Sequence, residues 1–171
     1  MSGRTAARTL VLLRHSKSDW SADGDDIARP LARRGRRQAA IAGAWLAGAT
    51  ETIDLAVIST ATRARDTWEL AAAELADPPP IRIEPRCYAA TANELLALVR
   101  ELPETARTVV LVGHNPGIED LVALITLRRV PMPTSALAVI GWRGPWSAAG
   151  AVPATLRAAG RPPAPYTPPS E

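Results

Sequence analysis

Two apolar runs in this chain each end on a histidine: Leu10-Val11-Leu12-Leu13-Arg14-His15 and Val109-Val110-Leu111-Val112-Gly113-His114. The sequence contains no other histidine. Four unbroken aliphatic residues bounded by turn-forming or charged residues read as a buried strand. Strand-like stretches near 9–14, 54–59, 81–84, 108–113 and 136–141 alternate with helix-like stretches near 31–48, 62–76, 92–101 and 116–127. That alternation predicts an α/β three-layer sandwich, with a mostly parallel central sheet and helices on both faces. Sheets of this kind bind ligands at the carboxyl ends of their strands, where both imidazoles are expected to lie.

At 171 residues the chain fits one domain with a sizeable core. Residues 1–144 are expected to form it, with the core between about 8 and 142. Residues 145–171 read as a C-terminal extension whose end, carrying five prolines from residue 161 on, is flexible. No apolar stretch approaches the ~18 residues of a membrane span, so no membrane partner is expected. The start, Met1 to Arg8, runs into the first strand without the apolar region of a signal peptide. A single cysteine, Cys87, excludes an intrachain disulfide and a multi-cysteine zinc site. A cytoplasmic location fits all of this. The oligomeric state is not set by the sequence, and a monomer is compatible with it. The net charge of +3 is modest, although Arg29 to Arg37 concentrates five arginines. Such a cluster is a solvated face, a docking surface for an acidic partner, or a nucleic-acid contact. Stacking aromatics for single-stranded nucleic acid are missing, and no nucleic-acid partner is expected.

A neutral imidazole at the end of a strand is a competent nucleophile toward phosphorus, which makes His15 the first candidate catalytic residue. Arg14 beside it offers a permanently charged fork that matches two phosphate oxygens. Arg63 follows the strand Leu55–Ile58 and sits in the first turn of a helix. A cation there opposes the helix dipole, and a bound anion would offset the conflict. His114 is expected opposite His15, where one nitrogen can bond a phosphoryl oxygen in the transition state. Metal ligation by the two histidines is the competing reading, but neighbouring arginines repel a divalent cation and Glu84 is the only carboxylate near a strand end. Lys17 and Ser135 are ambiguous between site and solvent or turn roles. Trp20, Trp45 and Trp68 read as packing residues, with Trp20 at the rim of the crevice.

Arg14-His15 after a first strand, Arg63 after Ser59-Thr60, and Gly113-His114-Asn115 resemble the histidine phosphatase superfamily, the phosphoglycerate-mutase-like fold. Leu13 to Trp20, Arg29-Pro30-Leu31, Thr67-Trp68-Glu69-Leu70, Val112 to Gly117 and Pro133 to Leu137 resemble its small SixA-like phosphohistidine phosphatase branch. The resemblance covers roughly residues 8–142. It implies that His15 is a transiently phosphorylated nucleophile, that Arg14, Arg63 and His114 complete the phosphate pocket, and that no metal or organic cofactor is required. It also implies a phosphorylated substrate, including a phosphohistidine-bearing protein, reached through an open crevice without the helical cap of larger relatives.

The larger relatives carry an acidic proton donor after the third strand. Aligning Arg86 and Tyr88 puts Pro85 at that position, with Glu84 one residue out of register as a candidate general acid. A phosphoramidate, whose leaving nitrogen can already carry a proton, needs that acid less than a phosphomonoester does. Two rival functions stay open at this stage: a phosphatase of a small phosphorylated metabolite or nucleotide, and a non-catalytic phospho-ligand binding module.

Overall fold

The computed structural model describes residues 5–49 and 52–170. The N-terminal residues 1–4, part of the stretch read for a leader, lie outside them. Seven strands form one sheet in the order β3-β2-β4-β1-β5-β6-β7. They are β1 (Ala7–Arg14), β2 (Leu55–Ser59), β3 (Ile81–Glu84), β4 (Thr108–Gly113), β5 (Leu137–Arg143), β6 (Ala154–Gly160) and β7 (Pro163–Pro165). Helices α1 (Arg33–Ala49), α2 (Thr62–Ala72), α3 (Ala92–Arg100) and α4 (Gly117–Thr126) cover it.

The central strands are buried on both sides, which is why they read as unbroken apolar runs. Leu10 and Leu12 of β1, with Val109 and Leu111 of β4, face a core completed by α3 and α4. Val11, Leu13, Val110 and Val112 face the opposite core, completed by Ala42 and Leu46 of α1 and by Ala64, Trp68 and Ala71 of α2. The result is the three-layer α/β sandwich expected from the alternation. Helix α1 lies close on α2 because Gly43 has no Cβ to meet the backbone of Ala71.

The sheet is mixed. Strands β3, β2, β4 and β1 run parallel, whereas β5, β6 and β7 pair antiparallel. After α4 the segment 127–136 returns to the carboxyl edge of the parallel strands, where the Met132 carbonyl accepts from Arg14. Strand β5 therefore starts at that edge, Leu137 opposite Leu13, and runs downward.

The chain beyond residue 144 is not a separate extension, because it continues the domain through β6 and β7. Trp146, Ala149 and Leu156 are buried in the same core as β1 and β4, and β6 and β7 lengthen the sheet. Trp146 donates its indole N–H to the Ala106 carbonyl at 2.8 Å. The prolines of β7 are compatible with a strand because β7 lies at the sheet edge, where proline is tolerated and discourages further pairing. Helix α2 ends at Ala72 rather than near 76, and Ala61 precedes it without a side-chain cap. Among the described residues no helix is long and apolar enough to cross a membrane.

Candidate active site

Three adjacent parallel strands deliver the expected residues to one edge. Arg14 stands opposite Gly113 in the β1–β4 register, and the His15 amide donates to the Gly113 carbonyl at 3.0 Å. The register brings the two imidazoles together, with ring centroids 5.1 Å apart. Strand β2 flanks β4 on its other side, and α2 then places Arg63 over the same edge. Arg14, His15, Arg63 and His114 thus converge.

His15 is 7% exposed. Its Nδ1 lies 2.8 Å from the Ser16 carbonyl oxygen. A carbonyl only accepts, so Nδ1 carries the hydrogen and Nε2 keeps its lone pair. Burial pushes the ring down to about 4, against the opposing pull of the Ser16 carbonyl, and Arg63, Arg14 and Arg29 push the same way as burial. The imidazole is therefore neutral at pH 7. The peptide that holds it is itself fixed, because Ser16 N–H donates to Thr67 Oγ1 at 2.9 Å and Thr67 donates to the Arg63 carbonyl at 2.6 Å. The Ser16 and Ser135 hydroxyls are 2.9 Å apart, and Ser135 N–H donates to the carbonyls of both Arg14 and His15. Ser135 thus braces the loop, with φ +65° at its own backbone.

His114 is pushed lower still, to about 3, by burial first and then by His15 and Arg63. Its Nε2 lies 2.7 Å from Ser59 Oγ, while its Nδ1 is buried with no hydrogen-bond partner. The Nε atoms of Arg14 and Arg63 are buried without partners as well. Buried polar atoms are normally satisfied, and these three nitrogens at one strand edge are not, as is also true of the Nε atoms of Arg8 and Arg82 elsewhere.

Arg63 donates to the Asp26 carbonyl at 2.7 Å and to its carboxylate at 3.1 Å. Tyr88 O–H and Arg29 donate to the same carboxylate. Those donors, Tyr88 foremost, hold Asp26 down at about 2. Arg29 also lies over the Trp20 ring, 3.5 Å from its centroid. Trp20 is 71% exposed, so it is a rim residue and not a packing residue, whereas Trp68 is buried as expected. Asp26 went unnoticed in the sequence. Its spacing of three from Arg29 was a signal, but Asp23 and Asp25 beside it blur the choice. Thr67 was visible only as part of a motif.

Glu84 is buried, and both its carboxylate oxygens accept from Arg86, at 3.0–3.1 Å. The Arg86 guanidinium holds the carboxyl below its usual range. Lys17 is exposed, and its backbone N–H donates to Gln38 Oε1 at 3.0 Å. Gly35 of α1 permits this loop to lie close, since a Cβ there would collide with the Lys17 carbonyl. Among the described residues no group of three or more His, Cys, Asp or Glu side chains is arranged to hold a metal ion.

The histidine phosphatase superfamily (branch 1) matches residues 10–88. An uncharacterised protein of Mycobacterium tuberculosis strain H37Rv is 32% identical over 146 residues, spanning 79% of this chain and 90% of that protein. Among solved structures, a proposed phosphohistidine phosphatase SixA from Nakamurella multipartitia shares 29% identity and superposes with a TM-score of 0.80, covering 95% of this chain and 98% of the other. A counterpart from Agrobacterium tumefaciens shares 33% identity with a TM-score of 0.69, over 78% and 90% of the two chains. Similarity of this extent, running through the strands that carry both histidines, places the chain in the histidine phosphatase superfamily, on its SixA-like branch, as a phosphatase.

Proposed function

We propose that this phosphatase removes the phosphoryl group from phosphohistidine carried on a protein, through a covalent intermediate on His15. The observation that carries the reading is the neutral His15 ring, with Nδ1–H committed to the Ser16 carbonyl and the Nε2 lone pair left to react. Nε2 attacks phosphorus and the bond to the substrate imidazole breaks. The leaving nitrogen departs with its bonding pair, and because the other nitrogen of that ring already carries a proton the imidazole leaves neutral. Water then attacks phosphorylated His15, releasing inorganic phosphate and restoring the ring. Arg14 and Arg63 offer the charge that the equatorial oxygens need. Ser59 Oγ already accepts the Ala61 N–H, so its own hydrogen is available to His114 Nε2. In that tautomer His114 Nδ1–H is a donor to the phosphoryl group.

Glu84, ionised and occupied by Arg86, is a poor proton donor, and no step here is assigned to it. That favours a phosphoramidate over an ester with a poor leaving group. The names of the Nakamurella and Agrobacterium proteins support the same substrate class. Neither step calls on a metal ion. The test is a quench without acid of the EDTA-treated enzyme, mixed with a protein labelled with radioactive phosphate on histidine. Transient label on His15 and phosphate release are expected. His15→Ala should lower turnover by roughly three orders of magnitude or more. Retention of most activity by that variant would refute the mechanism, and release from a small phosphomonoester alone would move the substrate to the metabolite class.

A further inference from the structure

A cavity of about 350 Å³ lies beside the catalytic edge, between α1 and the turn from β6 to β7. Arg34, Arg37 and Arg161 line it, with an apolar floor from Ile41, Leu137 and Pro162. Ser135 is its link to the site. Ser135 also lines it, and the Ser135 amide holds the carbonyls of Arg14 and His15. Leu137 pairs with Leu13 on one side and Gly160 on the other, so the groove opens on the same strand edge as His15.

Among the described residues no carboxylate answers the charge of this groove. Helix α1 opens with Arg33, Arg34, Arg36 and Arg37 and has no acidic residue in its first turn. Cations in that position oppose the helix dipole. Among the described residues none of these four takes part in an ion pair. No carboxylate lines the groove. Arg34 and Arg37 are three residues apart and therefore share one helix face. An exposed Ile41 continues that face, one turn on from Arg37.

We infer that this groove docks an acidic segment of the substrate protein, one that alternates carboxylates with apolar side chains, and so presents its phosphohistidine to His15. Carboxylates meet the arginine rim while apolar residues cover Ile41, Leu137 and Pro162. The absence of aromatic side chains from the groove favours a peptide over nucleic acid. The inference rests on the proposed protein substrate, and its test separates the two.

The variant is Arg34→Glu/Arg37→Glu. Both positions are exposed, and Arg34→Glu supplies the first-turn acid that α1 lacks, so folding should be kept. For the phosphohistidine-bearing protein, KM should rise about tenfold with kcat unchanged, the scale expected when two exposed ion pairs become two like-charge contacts. Turnover of free phosphohistidine should not change. In parallel, fluorescence anisotropy would follow a labelled ten-residue peptide of alternating Glu and Leu, which should bind the wild type and not the variant. Equal peptide binding by both proteins would overturn the groove, as would an equal fall in turnover of protein and free phosphohistidine. Arginine-dependent binding of a single-stranded oligonucleotide without peptide binding would also overturn it. Arginine-dependent peptide binding by an enzyme that turns over no phosphohistidine would uphold the groove and sink the substrate reading.

Discussion

Lowering the pH from 6.5 to about 4 is expected to cost this protein about 3 kcal/mol of folding stability through His15. In the unfolded chain the imidazole takes up a proton near 6.5. In the folded protein burial, helped by Arg63, Arg14 and Arg29, delays that uptake to about 4. Between the two values the unfolded state binds the proton and the folded state does not, so stability is full above 6.5 and falls with the pH until the folded value is reached. Each pH unit costs ~1.36 kcal/mol, and about 2.5 units give about 3 kcal/mol. His114, depressed to about 3, acts in the same direction. The assay is urea unfolding at several pH values from 7 to 4, on the wild type and on His15→Gln, which cannot titrate there. Carboxylates titrate in both proteins and cancel in the difference. The wild type should lose stability faster by about one proton's worth per pH unit. Parallel curves for the two proteins would show that His15 is not a buried neutral base, and the proposed nucleophile would lose its physical footing.

Thr67→Val removes the oxygen that fixes the Ser16 peptide, and with it the brace on the His15 ring. Turnover should fall roughly tenfold to a hundredfold at little change in KM. Thr67→Ser should restore it, and failure of that rescue would point to packing instead of positioning. Glu84→Gln should keep phosphohistidine turnover within about twofold, since no proton is asked of it. A loss near a hundredfold in that variant would reinstate Glu84 as the acid.

The interior strands were legible because burial on both faces leaves an unbroken apolar run, and β1, β2 and β4 were read to within a residue or two. Direction was harder. Whether β5 runs up or down depends on where the segment 127–136 ends, and no local pattern records that. The C-terminal strands were hidden for a different reason. β6 (Ala154–Gly160) is rich in alanine, and β7 contains Pro163 and Pro165, so neither has strand propensity of its own. Pairing to β5 and the burial of Trp146 and Leu156 hold that region in place.

The same division runs through the site. His15, His114, Arg14 and Arg63 could be found because each follows a recognisable strand, and the fold only had to set the strands side by side. Asp26 could not, since its importance comes from a contact between a loop and the start of α2. That contact has a consequence for how an anion arrives. Asp26 already occupies part of the Arg63 guanidinium, with Tyr88 and Arg29 sharing its charge. Among the described residues Arg14 makes no ion pair, although Glu119 acts on it at longer range, whereas the charge of Arg63 is partly answered by Asp26. The Nε of Arg63 and the Nδ1 of His114 are buried there without a partner. Asp26 thus ties Arg63 to the segment that precedes α1. The His15 ring stays neutral because it is buried, and the positive charges around it push the same way.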